Sequence, residues 1–277
     1  MSSSCFISDI YFYPIKSLKG VRLNSANITD FGIENDRRFM LINSENKFLT
    51  QRTLPLLSQL NVTIDQSTHN TFDSIDISSK ELGNVTFNAA DFINKSCELV
   101  KVSIWSDIAD AIIVENKQTE ILSNFLNEKV RLAYMPDSSF RQVDRQYFSE
   151  DQRVSFADGY PFLLTSESSL KDLNSRLANP VSMSNFRPNI VISGGISAFA
   201  EDDWTRIIVG DITFELVKPC SRCVITTIDS QGVKAENKEP LMTLSKYRKN
   251  DFGICFGQNL VHLSTGIIKE GDTVTFE

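Results

Sequence analysis

The feature that most constrains how this chain folds is a recurrence of short β-branched and aromatic runs, each ended by turn-forming residues. Through the N-terminal part these are "CFISDIYFYPIK", "VRLNSANITDFG", "RRFMLINSENKFLTQR", "LSQLNVTIDQ", "DSIDIS" and "CELVKVSIW". Strand-plus-turn spacing of this kind predicts an all-β sheet or barrel. The polar break "NSENK", residues 43–47, reads as a hairpin turn, because Asn and Ser offer the backbone local hydrogen bonds that compete with a ladder. Beyond Pro180 the pattern returns in "NIVISGG", "WTRIIVGDITFELVK", "CVITTIDS", "FGICFGQNLVHLS" and "GDTVTFE", split by Gly-Asp and Gly-Gln turns.

Two helices are expected between these runs. In "KQTEILSNFLNEK", Ile121, Leu122, Phe125 and Leu126 fall on one face. In "LLTSESSLKDLNSRLAN", Thr165 or Ser166 caps the N-terminus, Leu170, Leu173 and Leu177 form a stripe suited to core packing, and Pro180 ends the helical region. The strand and helix order is too irregular for a doubly wound parallel sheet. "GGI" at residues 194–196 lacks the dinucleotide-binding spacing, and there is no Walker loop. The expectation is a mainly β chain with a few helices: an N-terminal β lobe over residues 1–100 and a second strand-rich lobe with helical insertions over 101–277.

Composition narrows the function classes. At 277 residues and 41% hydrophobic, the chain buries a sizeable core without staples. A net charge of -7 argues against nucleic acid as a partner, so any anionic ligand needs a local basic cluster. The N-terminus has no basic region followed by an apolar core, and no stretch reaches membrane-spanning length free of charge. A cytoplasmic protein with no membrane partner and five reduced cysteines is expected.

The chemistry of the chain centres on "KPCSRCVITTID", where Cys220 and Cys223 flank Arg222 ahead of a run that reads as a buried strand. A closed zinc site needs four ligands, yet Cys5, Cys97 and Cys255 stand alone and His69 and His262 are isolated, so zinc would require scattered ligands. A thioredoxin-like dithiol opens a helix, and "VITTID" opposes one. Two small buried hydrophobes would leave Arg222 unexplained. A third reading fits better: one thiolate as the soft ligand of a thiophilic metal whose other ligands come from an anionic cofactor. Such a cofactor calls for Arg, Lys, Ser, Thr and backbone N–H groups around it.

Groups of that kind occur in several turns. "YPIKSLKG" supplies Lys16, Ser17 and Lys19; "NDRRFM" supplies Arg37 and Arg38; "FLTQR" supplies Thr50 and Arg52; "NFRPNIV" supplies Arg187 and Asn189 around Pro188. Arg suits phosphate because its planar fork binds two oxygens at once. Singly, each cluster reads as a solvated strand end; only convergence would make them a pocket.

"YPIKSLKG", "DRRFM", "FRPNIVISG", "EDDW", "VGD", "PCSRCVITTID", "EPLMTLSKYR", "FGQNL" and "GDTV" resemble, in order, the MOSC-domain proteins, within which the pattern is most similar to amidoxime-reducing components and bacterial reductases of N-hydroxylated bases. The resemblance covers almost the whole chain. It implies a β-barrel MOSC fold behind an N-terminal MOSC β-barrel lobe, and a molybdenum cofactor, a pterin dithiolene with a terminal phosphate. By motif position Cys223 is the metal ligand and catalytic residue, with Cys220 a neighbour. Cofactor contacts carry over to Lys16, Ser17, Arg37, Arg187, Asn189, Ser221 and Arg222, and less directly to Thr50 and Arg52. The implied reaction reduces N–OH to N–H in hydroxylaminopurines or amidoximes. Cys255 is the one thiol after Cys223, so electrons are expected from a separate ferredoxin, flavoprotein or cytochrome b5-like protein. The alternative is a carrier or transferase of the cofactor or of sulfur, using the same cysteine.

Overall fold

Strands form where the β-branched runs stand, and the way they pair explains how both ends of the chain reach one site. The computed structural model describes residues 4–65, 72–93 and 98–277; His69 and Cys97 lie outside them. The largest sheet runs in the order Val274–Phe276, Arg206–Val209, Ile212–Ser221, Gly253–His262, Phe162–Ser166, Ile190–Ser193, Phe6–Phe12 and Val21–Leu23, with Lys249–Asn250 paired on the side. Its N-terminal stave bonds back to the opposite edge. Ile7 N donates to Asp272 O at 2.9 Å, Gly271 N to Ile7 O at 2.8 Å and Val274 N to Cys5 O at 2.9 Å. The sheet thereby closes on itself, which removes a long open edge. Ile7, Ile10, Phe162, Leu164, Ile207 and Phe214 are among the side chains filling its interior.

One connection in this barrel is parallel. Phe162–Ser166 pairs parallel with Ile190–Ser193, and the helix Glu167–Ser175 makes the crossover that parallel strands require. Ser166 is its N-cap, its Oγ accepting from Ser169 N at 3.1 Å.

A second set of strands, Phe39–Ile42, Arg131–Tyr134, Asp107–Val114 and Val100–Ile104, forms a four-stranded sheet, and Asn61–Asp65, Ser74–Ser79 and Gly83–Asn88 form a three-stranded one. They enclose an aromatic knot of Phe39, Phe72, Phe92 and Tyr134, with centroids 5.0 to 5.6 Å apart. The expected hairpin turn is present, Asn43 N donating to Lys47 O. So is the first helix, Lys117–Leu126, opened by a capping box at Asn116. Its buried stripe is Thr119, Leu122 and Leu126; Ile121, expected on that face, is 40% exposed, because it sits one residue, about 100°, round the helix from Leu122. Among the described residues no helix is long and apolar enough to cross a membrane.

The motif "EDDW" turns out to be a clasp. Glu201, fully buried, accepts from Ser169 Oγ at 2.7 Å and Ser166 Oγ at 3.1 Å, tying down the start of the crossover helix. Asp202 accepts from Gln258 Nε2 at 2.7 Å and Arg248 Nη2 at 2.5 Å, and Trp204 stacks on Phe276 at 4.2 Å. Three stretches of the resemblance that supply no cleft cation, "EDDW", "SKYR" and "FGQNL", therefore interlock with one another.

His262 gives the fold a pH dependence. It is buried, its ring meets Phe162 edge-on at 5.4 Å, and its Nδ1 has no partner among the described residues. Burial pushes the imidazole down from 6.5 to about 4. The fold keeps the neutral form, so this contribution is complete above the unfolded value and is lost as pH falls toward 4, roughly 3 kcal/mol in all. Urea melts between pH 7 and pH 4 are expected to show that loss in the wild type and a slope shallower by this amount in His262→Gln. Equal slopes would assign the acid sensitivity to other groups.

Candidate functional site

Five turns from distant parts of the chain meet in one cleft with a cavity of about 140 Å³, lined by Lys16, Ser17, Arg37, Thr50, Arg52, Arg187, Asn189, Ser221, Arg222 and Cys223. All ten residues singled out in the sequence thus lie together. Of the basic residues beside them, Arg38 and Lys19 do not line it. Arg38 turns away to stack on Phe31 at 4.1 Å and to bond Met135 O and Asp137.

Local backbone shape aims the side chains. Ser17, Arg37 and Arg187 have φ of 70°, 50° and 56°, a left-handed conformation uncommon for residues other than glycine. Such backbone persists where surrounding contacts over-determine it, and it clusters at functional sites. Here the surroundings are specific. Lys16 N bonds to Phe39 O, Arg37 N to Tyr13 O and Arg187 N to Ser184 O, while Gln51 Nε2 donates to Ser17 O at 2.7 Å.

Tyr13 and Asp36, neither singled out in the sequence, organise the cationic wall. The Tyr13 ring packs against two guanidiniums, Arg37 at 4.4 Å and Arg187 at 4.3 Å from its centroid. Its hydroxyl donates to Pro188 O at 3.0 Å, and a side chain at Gly20 would strike the ring at 2.4 Å. Asp36, 2% exposed, accepts from Tyr13 N at 2.7 Å, Arg37 Nη1 at 2.6 Å and Asn189 Nδ2 at 3.2 Å. Asn189 also donates to Tyr11 O and accepts from Arg37 Nη1 at 3.0 Å and Leu163 N at 3.3 Å. Its amide is thereby fully committed, so what it gives the cleft is the position of Arg37. Arg187 donates to Leu18 O at 2.7 Å, and burial, reinforced by Arg37, lowers its pKa to about 10.

The cysteine turn enters from the barrel. Ile212–Ser221 pairs with Gly253–His262 through two irregularities, at Leu216/Lys218 and at Pro219/Ser221. Proline sits in a paired strand at such bulges, and bulges re-aim the strand that follows. The residues after Cys223 do not form the expected buried strand. Val224–Thr227 is a short 3-10 turn with Cys223 at its N-cap. Thr226 Oγ1 donates to Cys223 O at 2.9 Å and Thr227 Oγ1 to Val224 O at 2.7 Å, so the threonines bind their own backbone and divert it from a ladder. Cys223 is left partly buried on the cleft wall. Cys220 also lines the cleft, where its sulfur accepts from Arg222 Nη1 at 2.8 Å. Arg222 Nη2 donates to Phe186 O at 2.6 Å, and its buried Nε has no partner among the described residues.

At the mouth, Lys16 is 6% exposed and donates to Phe156 O at 2.8 Å and Asp158 Oδ1 at 2.5 Å. Burial lowers its proton affinity, which the Asp158 carboxylate opposes. Asp158 is itself mostly exposed, and its Oδ1 also accepts from Trp105 Nε1 at 3.1 Å. Arg52 lies over the Trp105 ring at 4.3 Å, and Thr50 Oγ1 accepts from Arg52 N at 2.9 Å.

In a chain of net charge -7, five cations line this cleft against the single lining carboxylate of Asp158, with Asp36 behind Arg37. Partly buried guanidiniums packed against one tyrosine ring, an orphaned Arg222 Nε and a soft thiol form a donor set that fits an anionic ligand carrying a thiophilic metal. Among the described residues no group of three His, Cys, Asp or Glu side chains gathers to hold a metal by itself.

The two halves of this arrangement correspond to two described domains: residues 4–129 match the MOSC N-terminal beta barrel domain and residues 151–275 the MOSC domain. The chain belongs to the MOSC-domain family. Its relatives include the mitochondrial amidoxime-reducing component 1 of Homo sapiens, 34% identical over 97% of this chain and 82% of that protein, and that of Mus musculus, 34% identical over 97% and 81%. The mitochondrial amidoxime reducing component 2 of Bos taurus is 29% identical over 97% and 82%. Among solved structures, YiiM from Geobacillus stearothermophilus overlaps 43% of this chain and 54% of its own at TM-score 0.31 and 16% identity.

Proposed function

We propose that this protein is a molybdenum cofactor-dependent reductase of N-hydroxylated compounds such as amidoximes and hydroxylaminopurines, drawing electrons from a separate protein. The observation that carries the reading is the gathering of Cys223 and five cations in one cleft. Similarity to proteins named amidoxime-reducing components over 97% of the chain supports it. In this reading Cys223 Sγ holds the metal, while Arg37, Arg187, Arg222, Lys16, Ser17, Thr50 and Ser221 hold the anionic organic part, and Arg52 closes the rim. When bound, the cofactor supplies a two-electron, oxygen-accepting centre.

The balanced reaction is N–OH plus two electrons and two protons to N–H plus water. The chain's task is to exclude bulk water, orient the substrate and deliver protons. Lys16 is buried and bonded to Asp158 and Phe156 O, so its ammonium is fixed in the cleft wall as one of the cations for the anionic ligand.

Protein produced in a cofactor-competent host, shown to contain molybdenum and given a chemical reductant, is expected to convert an amidoxime to the amidine with one water released per two electrons. No turnover of either an amidoxime or a hydroxylaminopurine by such a sample would falsify the proposal.

A further inference from the structure

A second, larger groove of about 580 Å³ adjoins the cationic cleft and shares Trp105, Asp158, Gly159 and Tyr160 with it. Trp105 stands at the junction, and its conformation is unusual. It is the first residue of the two-residue loop Trp105-Ser106 between Val100–Ile104 and Asp107–Val114, where Asp107 pairs with Ile104. Its φ is 56°, at a hairpin position where glycine is ordinary. A bulky residue there is a real outlier costing about 1–3 kcal/mol. Core burial does not repay that cost, because the side chain is 45% exposed. Three contacts fix the indole: Phe48 meets it edge-on at 4.7 Å, Arg52 lies over it at 4.3 Å, and its Nε1 donates to Asp158. A strained, exposed and immobilised aromatic ring that lines both cleft and groove is an arrangement suited to a ligand.

The groove is also lined by Lys218, whose Nζ lies 4.3 Å from the Tyr147 ring centroid and 5.3 Å from that of Tyr160. The buried Tyr160 hydroxyl has no partner among the described residues. Asp144 also lines the groove, its Oδ1 accepting from Gln146 N at 3.0 Å. A flat conjugated body with N–H donors is the shape and chemistry that an indole platform beside carboxylates receives.

We infer that Trp105 is a specificity-determining residue: it stacks on the planar body of an aryl N-hydroxylated substrate lying in the outer groove while the N–OH end enters the cleft toward Cys223. This rests on the reductase reading above. The platform favours aryl over small aliphatic substrates through binding, so its signature is a ratio. In Trp105→Gly the loop's φ is relaxed while the ring is lost, and the protein is expected to keep its melting temperature. The ratio of kcat/KM for benzamidoxime to that for acetamidoxime is expected to fall about three- to tenfold, mostly through KM for benzamidoxime. Trp105→Phe, which retains a ring, should restore most of the ratio. A role confined to propping Arg52 and Asp158 would lower both substrates alike and leave the ratio unchanged, which overturns the inference.

The same experiment has an arm independent of turnover. The chain has two tryptophans, and Trp204 is stacked on Phe276, so benzamidoxime added to molybdenum-loaded protein should quench tryptophan fluorescence in the wild type and not in Trp105→Phe. Quenching that survives in the variant refutes the platform. Quenching confined to the wild type, without turnover of either amidoxime, keeps the platform and rejects the reductase.

Discussion

Replacing Cys223 by Ser is expected to lower the molybdenum content of protein from a cofactor-competent host at least about tenfold and turnover at least about a hundredfold. Replacing Cys220 by Ser should leave most of both. The two thiols differ in what surrounds them. Cys223 begins a 3-10 turn and its side chain has no hydrogen bond from the turn, so its sulfur remains available on the cleft wall. Cys220 sulfur instead accepts from Arg222 Nη1 at 2.8 Å, a task a serine oxygen also performs. A hydroxyl at position 223 keeps the shape but is a harder and weaker donor, ill matched to a heavy thiophilic metal. Elemental analysis per mole of folded protein decides the matter. If Cys220→Ser lost the metal and Cys223→Ser kept it, the ligand assignment would be reversed.

The parts of the molecule that were legible in the sequence are those specified locally. The run "RIIVGDITFELV" forms the hairpin Arg206–Val209 and Ile212–Ser221 because alternating apolar residues meet a Gly-Asp turn. Ser166 announces its helix through a side-chain cap. The cleft cations were legible only as separate basic turns; the resemblance to the MOSC-domain proteins, not their spacing, grouped them into one set.

What stayed hidden depends on long-range contact. Nothing around Ile7 tells that it bonds to residues 271 and 272 and closes the barrel. The run after Cys223 has strand propensity, yet two threonine hydroxyls bonded to their own backbone win over it. Tyr13 and Asp36 were not singled out, since neither by itself carries a mark that separates it from other aromatics and acids. A signal was present: an aromatic directly before "PIK" and an acid directly before "RR" place a π-face and a counter-charge beside cations. Spacing alone does not say that they meet the guanidinium of Arg187, which lies in a distant turn.

Asp36→Ala is expected to destabilise the cofactor-free protein by about 3–5 kcal/mol, the range for removing one partner of a buried ion pair. The carboxylate is 2% exposed and has three donors, so its loss leaves Tyr13 N unsatisfied, frees the Asn189 amide, and strips the counter-charge from Arg37. Arg37 and Arg187, both packed against the Tyr13 ring, then keep their mutual repulsion without that neighbouring acid. The same reasoning fixes how the damage responds to anions. An anion that binds the folded cleft stabilises by mass action, and its affinity rises when the cleft has lost an internal acid. Inorganic phosphate should therefore raise the urea midpoint of Asp36→Ala by more than it raises that of the wild type. Asp36→Asn, which keeps an acceptor for Tyr13 N but no charge, should fall between the two in stability while showing the same enhanced response to phosphate. A loss under about 1 kcal/mol together with an unchanged phosphate response would mean that Asp36 is not the counter-ion of this wall, and that the arginines are neutralised from elsewhere.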